Sequence, residues 1–367
     1  MTSSSGSTAA VPPAALARVV ERIRHHLYRL RQRLLPVPAA MMEMIVETWA
    51  SQAITAAVEL GIADALADGP LSGDELAARV GANVDALQRL LRALIGRGIF
   101  RRRRDGRYEL NPLAATLRCD APASMAWAAR FYGSREQRER WTLLGDAVRT
   151  GSSVVPRLRD MDSFDYFAEQ PELAELFDRT MTSVSQLTDA AVAAGYDFAA
   201  HRTIVDVGGG HGALLAAILA KAPKSRGVLY DLPRVLSGAP SVLGKHLAAE
   251  RVRLEEGSFF DSVPSGGDAY VLKNVIHDWP EDKVRRILRN VRAAVGCGAT
   301  VLLVEFVIPE HDRDDPGKWV DLEMLLNLGA RERTAAEYRN LLSENGFTMT
   351  RIVHTASPLS VVEARPS

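Results

Sequence analysis

The chain has 367 residues, 47 % hydrophobic and 25 % charged, with 45 Lys and Arg against 45 Asp and Glu. That length suggests two domains or three small ones, and the neutral balance argues against a protein whose main work is holding nucleic acid. Two cysteines exclude a disulfide scaffold and a cysteine-rich zinc site. No apolar stretch reaches membrane-spanning length, and the Ser- and Ala-rich start lacks the apolar core of a secretion signal, so a cytoplasmic location is expected.

Residues 1–38 open with a low-complexity tail, expected to be disordered. A basic amphipathic helix follows, with Leu16, Val19, Ile23, Leu27, Leu30 and Leu34 at helical spacing and Arg residues between them. Pro36 and Pro38 end it. Such a helix lies on a membrane surface or packs as an arm on a neighbouring subunit or its own chain. The arm is the preferred reading.

Residues 39–119 have the order of a winged helix. Ser72 and Glu75 form a capping-box pattern. Asn83 caps a second helix, with Val84, Leu87, Leu91 and Leu94 on one face, and Gly98 ends it. IFRRRRDGRYEL then reads as a hairpin with Asp105-Gly106 at its turn. Nine Arg against five acids between Leu71 and Leu110 suit phosphate contacts on DNA, or a solvated face on a dimerisation module. Residues 120–200 read as all-helical. Their aromatics, Phe131, Tyr132 and Phe177 among them, serve as core or as the wall of a pocket for a flat ligand.

From 201 to 367 the period changes. Strand-like runs rich in Val, Ile and Leu alternate with helices, which implies a mostly parallel sheet covered on both faces. The last two runs lie close together and suggest an antiparallel hairpin at an edge. In TIVDVGGGHGALLAAILAKAP a strand, a glycine turn and a helix follow one another. Gly208, Gly210 and Gly212 let the backbone approach a ligand. One strand later Asp231 ends a strand where a carboxylate accepts ribose hydroxyls. The same loop also fits the dinucleotide fingerprint, so a nicotinamide enzyme is an alternative.

IVDVGGGHG, YDLP, LKNVIHDWPED, VEFVIPE and RERT, in that order, resemble the S-adenosylmethionine-dependent O-methyltransferases of plant caffeate type, whose bacterial relatives tailor polyketides and phenazines. The resemblance runs from about Met41 to Arg365. HDW followed by GARERT carries most of its specificity. It implies an α/β fold: a Rossmann-like methyltransferase sheet with an N-terminal helical, winged-helix dimerisation domain that does not bind DNA. It implies S-adenosylmethionine as cofactor, a homodimer, and an aromatic or polycyclic hydroxyl as acceptor. Gly208 then approaches the methionine part, Asp231 holds the ribose, Phe259 packs on adenine and Lys273 faces the cofactor. Ser258 stands where the family usually has Asp, giving a neutral and weaker contact to the adenine amino group. Val184 replaces the histidine of plant members, so a plant phenylpropanoid acceptor is not implied.

The resemblance also assigns His277 as catalytic base, flanked by Glu305 and Glu332. Phe131, Tyr132, Phe177, Met181, Asn274, Met324 and Asn327 match positions near the acceptor, which the 120–200 helices and the Met324–Asn327 segment are expected to enclose. Without the resemblance, His277 reads equally as a capping or core residue, and Asp278 as the N-cap of the helix that follows. No metal requirement is expected. Two other readings stay open: a ligand-sensing winged-helix DNA-binding regulator, and a methyltransferase relative with altered chemistry such as hydroxylation or decarboxylation.

Overall fold

The computed structural model describes residues 11–367. The tail at residues 1–10, expected to be disordered, lies outside the described residues. Two compact units divide the chain. One holds residues 27–146 and 154–186; the other holds the described residues up to 26, 147–153 and 187–367. No helix among the described residues is long and apolar enough to cross a membrane.

A first helix, α1 (Ala14–Arg33), has no buried residue. In the unit of residues 27–146 and 154–186, α2 (Val37–Ile45) and α3 (Glu47–Glu59) precede the winged-helix elements. α4 (Gly73–Val80) begins at a reciprocal capping box: Ser72 Oγ accepts from Glu75 N, and Glu75 accepts from Ser72 N. α5 (Val84–Gly96) is capped by Asn83 and buries Leu87, Leu91 and Leu94. Gly98, at φ +77°, closes it: Ile99 N donates to Leu94 O and Gly98 N to Ile95 O, the paired bonds of a Schellman end. The wing is β1 (Arg101–Arg102) antiparallel to β2 (Tyr108–Glu109), turning at Asp105-Gly106 as expected. Leu76, Leu87, Leu91, Leu94, Ile62 and Phe100 form this unit's core.

The other unit is built on β3 (Thr203–Val207), β4 (Arg226–Asp231), β5 (Val252–Glu256), β6 (Ala269–Lys273), β7 (Thr300–Ile308), β8 (Arg333–Thr334), β9 (Phe347–His354) and β10 (Leu359–Pro366). The main order is β5-β4-β3-β6-β7-β10-β9, with β8 beside β7. β3 to β7 run parallel; β10 is antiparallel to both neighbours, the expected hairpin with β9 at the edge. Val205, Tyr270, Leu272 and Leu303 face one hydrophobic layer; Ile204, Leu229, Val271 and Leu302 face the other. A sheet covered on both faces needs apolar side chains at both parities of the strand, which explains the near-continuous Val, Ile and Leu runs.

Candidate active site

β3 has β4 on one side and β6 on the other. The chain leaves the sheet in opposite directions at this point, so the carboxyl ends of these strands open a crevice. The glycine loop, Asp231 and Lys273 all stand at those ends. Gly208, at φ +68°, follows β3, and its N–H donates to Tyr230 O at 2.8 Å. A Cβ there would come 3.1 Å from Val275 and 3.2 Å from the ring of Phe259, whereas at Gly210 it would meet nothing within 4 Å. The loop is therefore packed at Gly208 and open at Gly210. Asp231 accepts from Gly210 N at 2.8 Å and from Leu232 N at 2.7 Å; burial pushes its carboxyl up, partly offset by those two bonds.

Ser258 and Phe259 lie half-buried in the turn after β5. Ser258 Oγ accepts from Phe260 N at 3.2 Å, so the hydroxyl is used within its own turn. An acid at the end of the second strand, an aromatic ring, an open glycine backbone and an ammonium form a donor set that fits a ribonucleoside bearing an amino-acid tail.

One acid in this crevice, Asp189, escaped the sequence reading. Lys273 is ion-paired with Asp189, on α6 (Pro171–Gly195), and both side chains are buried. Burial pushes the Asp189 carboxyl up and Lys273 pulls it back. Asp206, at the end of β3, is buried with neither carboxylate oxygen hydrogen-bonded. Burial pushes it up to about 7. The one signal for Asp189 was a lone acid in the apolar run LTDAAVAAG.

β6 and β7 are in register with Lys273 opposite Val304, so the residues after β6 lie beside Glu305. Asn274 adopts φ +52°, donates its N–H to Val304 O at 3.1 Å, and keeps a buried Oδ1 without a partner. Glu305 Oε1 accepts from Val275 N at 3.0 Å and Ile276 N at 2.9 Å. His277 then sits in the single turn Ile276–Asp278. Its Nδ1 is 2.6 Å from Glu332 Oε1 and 3.3 Å from Glu305 Oε2; its Nε2 is 3.3 Å from Asp278 Oδ1. Glu332 is anchored in turn by its own N–H, which donates to Asp321 Oδ1 at 2.9 Å.

The three residues that the resemblance grouped thus meet in space, their ligand-capable atoms within 4.8 Å of one another. This His–Glu–Glu cluster was not visible in linear spacing. Asp278 requires a correction. α7 (Glu281–Ala294) begins after Pro280 with no side-chain cap, and the Asp278 carboxylate instead faces His277. Pro280 enters the helix in an extended conformation, which leaves Asp278 too far upstream to reach the first amides.

Burial disfavours a charged imidazole at His277, but Glu305, Glu332 and Asp278 outweigh it and hold the pKa well above the ordinary value. Burial pushes Glu305 up to about 7, with His277 opposing. The cluster sets the carboxylates of Glu305, Glu332 and Asp278 around one imidazole.

Of the residues matched to acceptor contacts, Met324 is half-buried and Asn327 buried on α8 (Pro316–Leu328), where Asn327 Nδ2 donates to Glu323 O. Phe131, Tyr132, Phe177 and Met181 belong to the other unit. There the Phe131 ring lies 5.3 Å from Tyr132 and 5.5 Å from Phe177, and Phe167 stacks on Phe177 at 5.0 Å.

An O-methyltransferase domain model matches residues 141–348, and an O-methyltransferase dimerisation domain model matches residues 42–119. The phenazine O-methyltransferase PhzM of Lysobacter antibioticus is 39 % identical over 331 residues, covering 90 % of this chain and 97 % of that protein. The phenazine-1-carboxylate N-methyltransferase of Pseudomonas aeruginosa is 33 % identical over 314 residues, covering 85 % and 92 %. Human N-acetylserotonin methyltransferase, solved in complex with S-adenosylmethionine, superposes with a TM-score of 0.82 at 26 % identity, covering 91 % of this chain and 98 % of that one. With its methyltransferase sheet and its dimerisation domain, this chain belongs to the S-adenosylmethionine-dependent O-methyltransferases.

Proposed function

We propose that this enzyme methylates a hydroxyl on an aromatic or polycyclic small molecule, that His277 is its general base, and that it works as a homodimer through residues 39–119. The 2.6 Å contact between His277 Nδ1 and Glu332 carries the reading. A phenol has a pKa of about 10 and is mostly neutral at physiological pH, so the acceptor oxygen gains nucleophilicity when a base takes its proton. Glu332 accepts the Nδ1–H of His277, which fixes the tautomer and leaves Nε2 to receive that proton. Glu305 and Asp278 add negative charge that stabilises the imidazolium once formed.

S-adenosylmethionine, when bound, supplies the activated methyl group. Around it, Asp231 would hold the ribose, Phe259 the adenine face, Ser258 the adenine edge and Lys273 the amino-acid tail, with Gly208 giving close approach. Phe131, Tyr132, Phe177, Met181, Asn274, Met324 and Asn327 would contact the acceptor.

The phenazine and N-acetylserotonin relatives are named for flat aromatic compounds, in keeping with such an acceptor. A nitrogen acceptor is the second reading, favoured by the phenazine-1-carboxylate N-methyltransferase relative; a ring nitrogen with a free lone pair needs no base. In the wing, Arg101 pairs with Glu109, Arg103 lies 3.6 Å from Asp105 and Arg107 3.1 Å from Glu75. This internal neutralisation supports dimerisation over DNA binding.

The test is His277→Ala with a panel of phenols, scored by S-adenosylhomocysteine release. Turnover should fall about 10²–10⁴-fold while calorimetric binding of S-adenosylmethionine is retained. Wild-type turnover in the variant would remove His277 as the base, whereas a wild-type enzyme that turns over no phenol but methylates a ring nitrogen would favour the nitrogen acceptor.

A further inference from the structure

Lys273 ends β6 at the crevice, and Asp189 lies toward the carboxyl end of α6. The ammonium of Lys273 donates to Asp189 Oδ1, and the two side chains are only 9 % and 8 % exposed. Taking both charges out of water is costly, and a buried pair of this kind adds little net stability over apolar side chains of the same size. Its place at the mouth of the sheet points instead to a use in binding.

The surroundings of the pair are acidic. Asp206 and Asp231 stand at the carboxyl ends of the neighbouring strands β3 and β4, and Asp206 feels the charges of Lys273, Asp189 and Asp231. One ammonium therefore serves three carboxylates. Asp231 spends its two oxygens on Gly210 N and Leu232 N. Asp206 is buried with neither oxygen hydrogen-bonded. It lies against the glycine loop, where a Cβ on Gly209 would come 2.5 Å from its Cγ. Of the three acids, Asp189 is the one that bonds Lys273. A further cation beside it would relieve the excess of negative charge.

An α-amino acid carries its ammonium and its carboxylate on one carbon. A carboxylate and an ammonium held side by side by the protein match that pair in reverse, each contact being a charge-assisted hydrogen bond. We propose that Asp189 is a specificity residue for the cofactor's amino-acid tail: its carboxylate receives the α-ammonium while Lys273 receives the α-carboxylate. The inference rests on the placement of the tail at Lys273 given above, and adds the residue that reads its other end.

The experiment is calorimetric titration of the full-length protein with three probes. They are S-adenosylhomocysteine, its deaminated analogue ending in a butanoate, and 5′-methylthioadenosine, which lacks the tail. Wild type should bind the deaminated analogue roughly tenfold to a hundredfold more weakly than S-adenosylhomocysteine. Asp189→Asn should weaken S-adenosylhomocysteine by a similar factor, leave 5′-methylthioadenosine unchanged, and abolish the difference between the first two probes. That coupling is what a structural role of Asp189 would not produce. If Asp189→Asn fails to fold, the double variant Asp189→Asn with Lys273→Gln leaves no stranded charge, and in it too removal of the ligand ammonium should cost nothing. A variant that still loses as much as wild type when the ammonium is deleted would overturn the assignment, as would an equal loss for all three probes. If wild type binds 5′-methylthioadenosine as tightly as S-adenosylhomocysteine, the tail does not lie at Lys273, and both placements fall together.

Discussion

Nδ1 of His277 lies 2.6 Å from Oε1 of Glu332, although 55 residues separate them in the chain. A base must be neutral to act, yet Glu332, Glu305 and Asp278 keep the proton on His277. Turnover should therefore rise with pH well beyond the ordinary histidine range before it levels. Glu332→Gln removes one of the charges holding the proton. The rising limb should move to lower pH while the plateau falls, about 10-fold or more, because the carboxylate no longer stabilises the imidazolium. The pH dependence of kcat/KM at fixed cofactor checks both effects, and an unmoved limb would mean that Glu332 does not face the base.

Lys273 and Asp189 form a buried ion pair. Asp189→Ala would strand the ammonium, and such losses cost about 3–5 kcal/mol. Urea unfolding should show that destabilisation. Lys273→Met in the same chain should recover much of it, since no charge then remains to be buried, but should lose cofactor affinity.

Asp206 tests the sign of a pH effect. Its folded carboxyl is pushed up to about 7 from an ordinary 3.8, so between those values the folded state holds a proton that the unfolded state has lost. Stability from this group is full below about pH 4 and is lost as pH rises to about 7. Asp206→Asn removes the liability. Its unfolding free energy in urea relative to wild type should climb between pH 5 and pH 8, by an amount on the order of a few kcal/mol.

At Gly208 a Cβ would press on Val275 and Phe259, and φ +68° is strained for any side chain. Gly208→Ala should weaken S-adenosylmethionine binding about tenfold or more by calorimetry. Ser258→Asp should act in the opposite direction. A charged acceptor for the adenine amino group adds about 1 kcal/mol, a fivefold tighter complex at neutral pH.

Much of this protein was legible in its sequence because the signals were local. The Ser72–Glu75 box, the Asn83 cap and the turn at Gly98 each depend on residues within a few positions of one another, as does the strand–glycine–helix unit at Gly208. The resemblance extended that reach to His277, Glu305 and Glu332. Asp278 was misread because the chain enters the helix through an extended Pro280, a backbone choice that the residue types do not dictate.

Sequence by itself determined the elements, their alternation and the family. It did so because capping, turn conformation and hydrophobic period are set by neighbouring residues. Tertiary structure alone decided the electrostatics of the site. The parallel register of β6 on β7 brings Val275 and Ile276 onto Glu305, and the pairing of β8 with β7 sets Glu332 beside His277. The approach of α6 to the end of β6 gives Lys273 its partner across 84 residues. Those neighbours, and the burial that removes water from between them, set where each proton resides; neither is a property of any one stretch of chain.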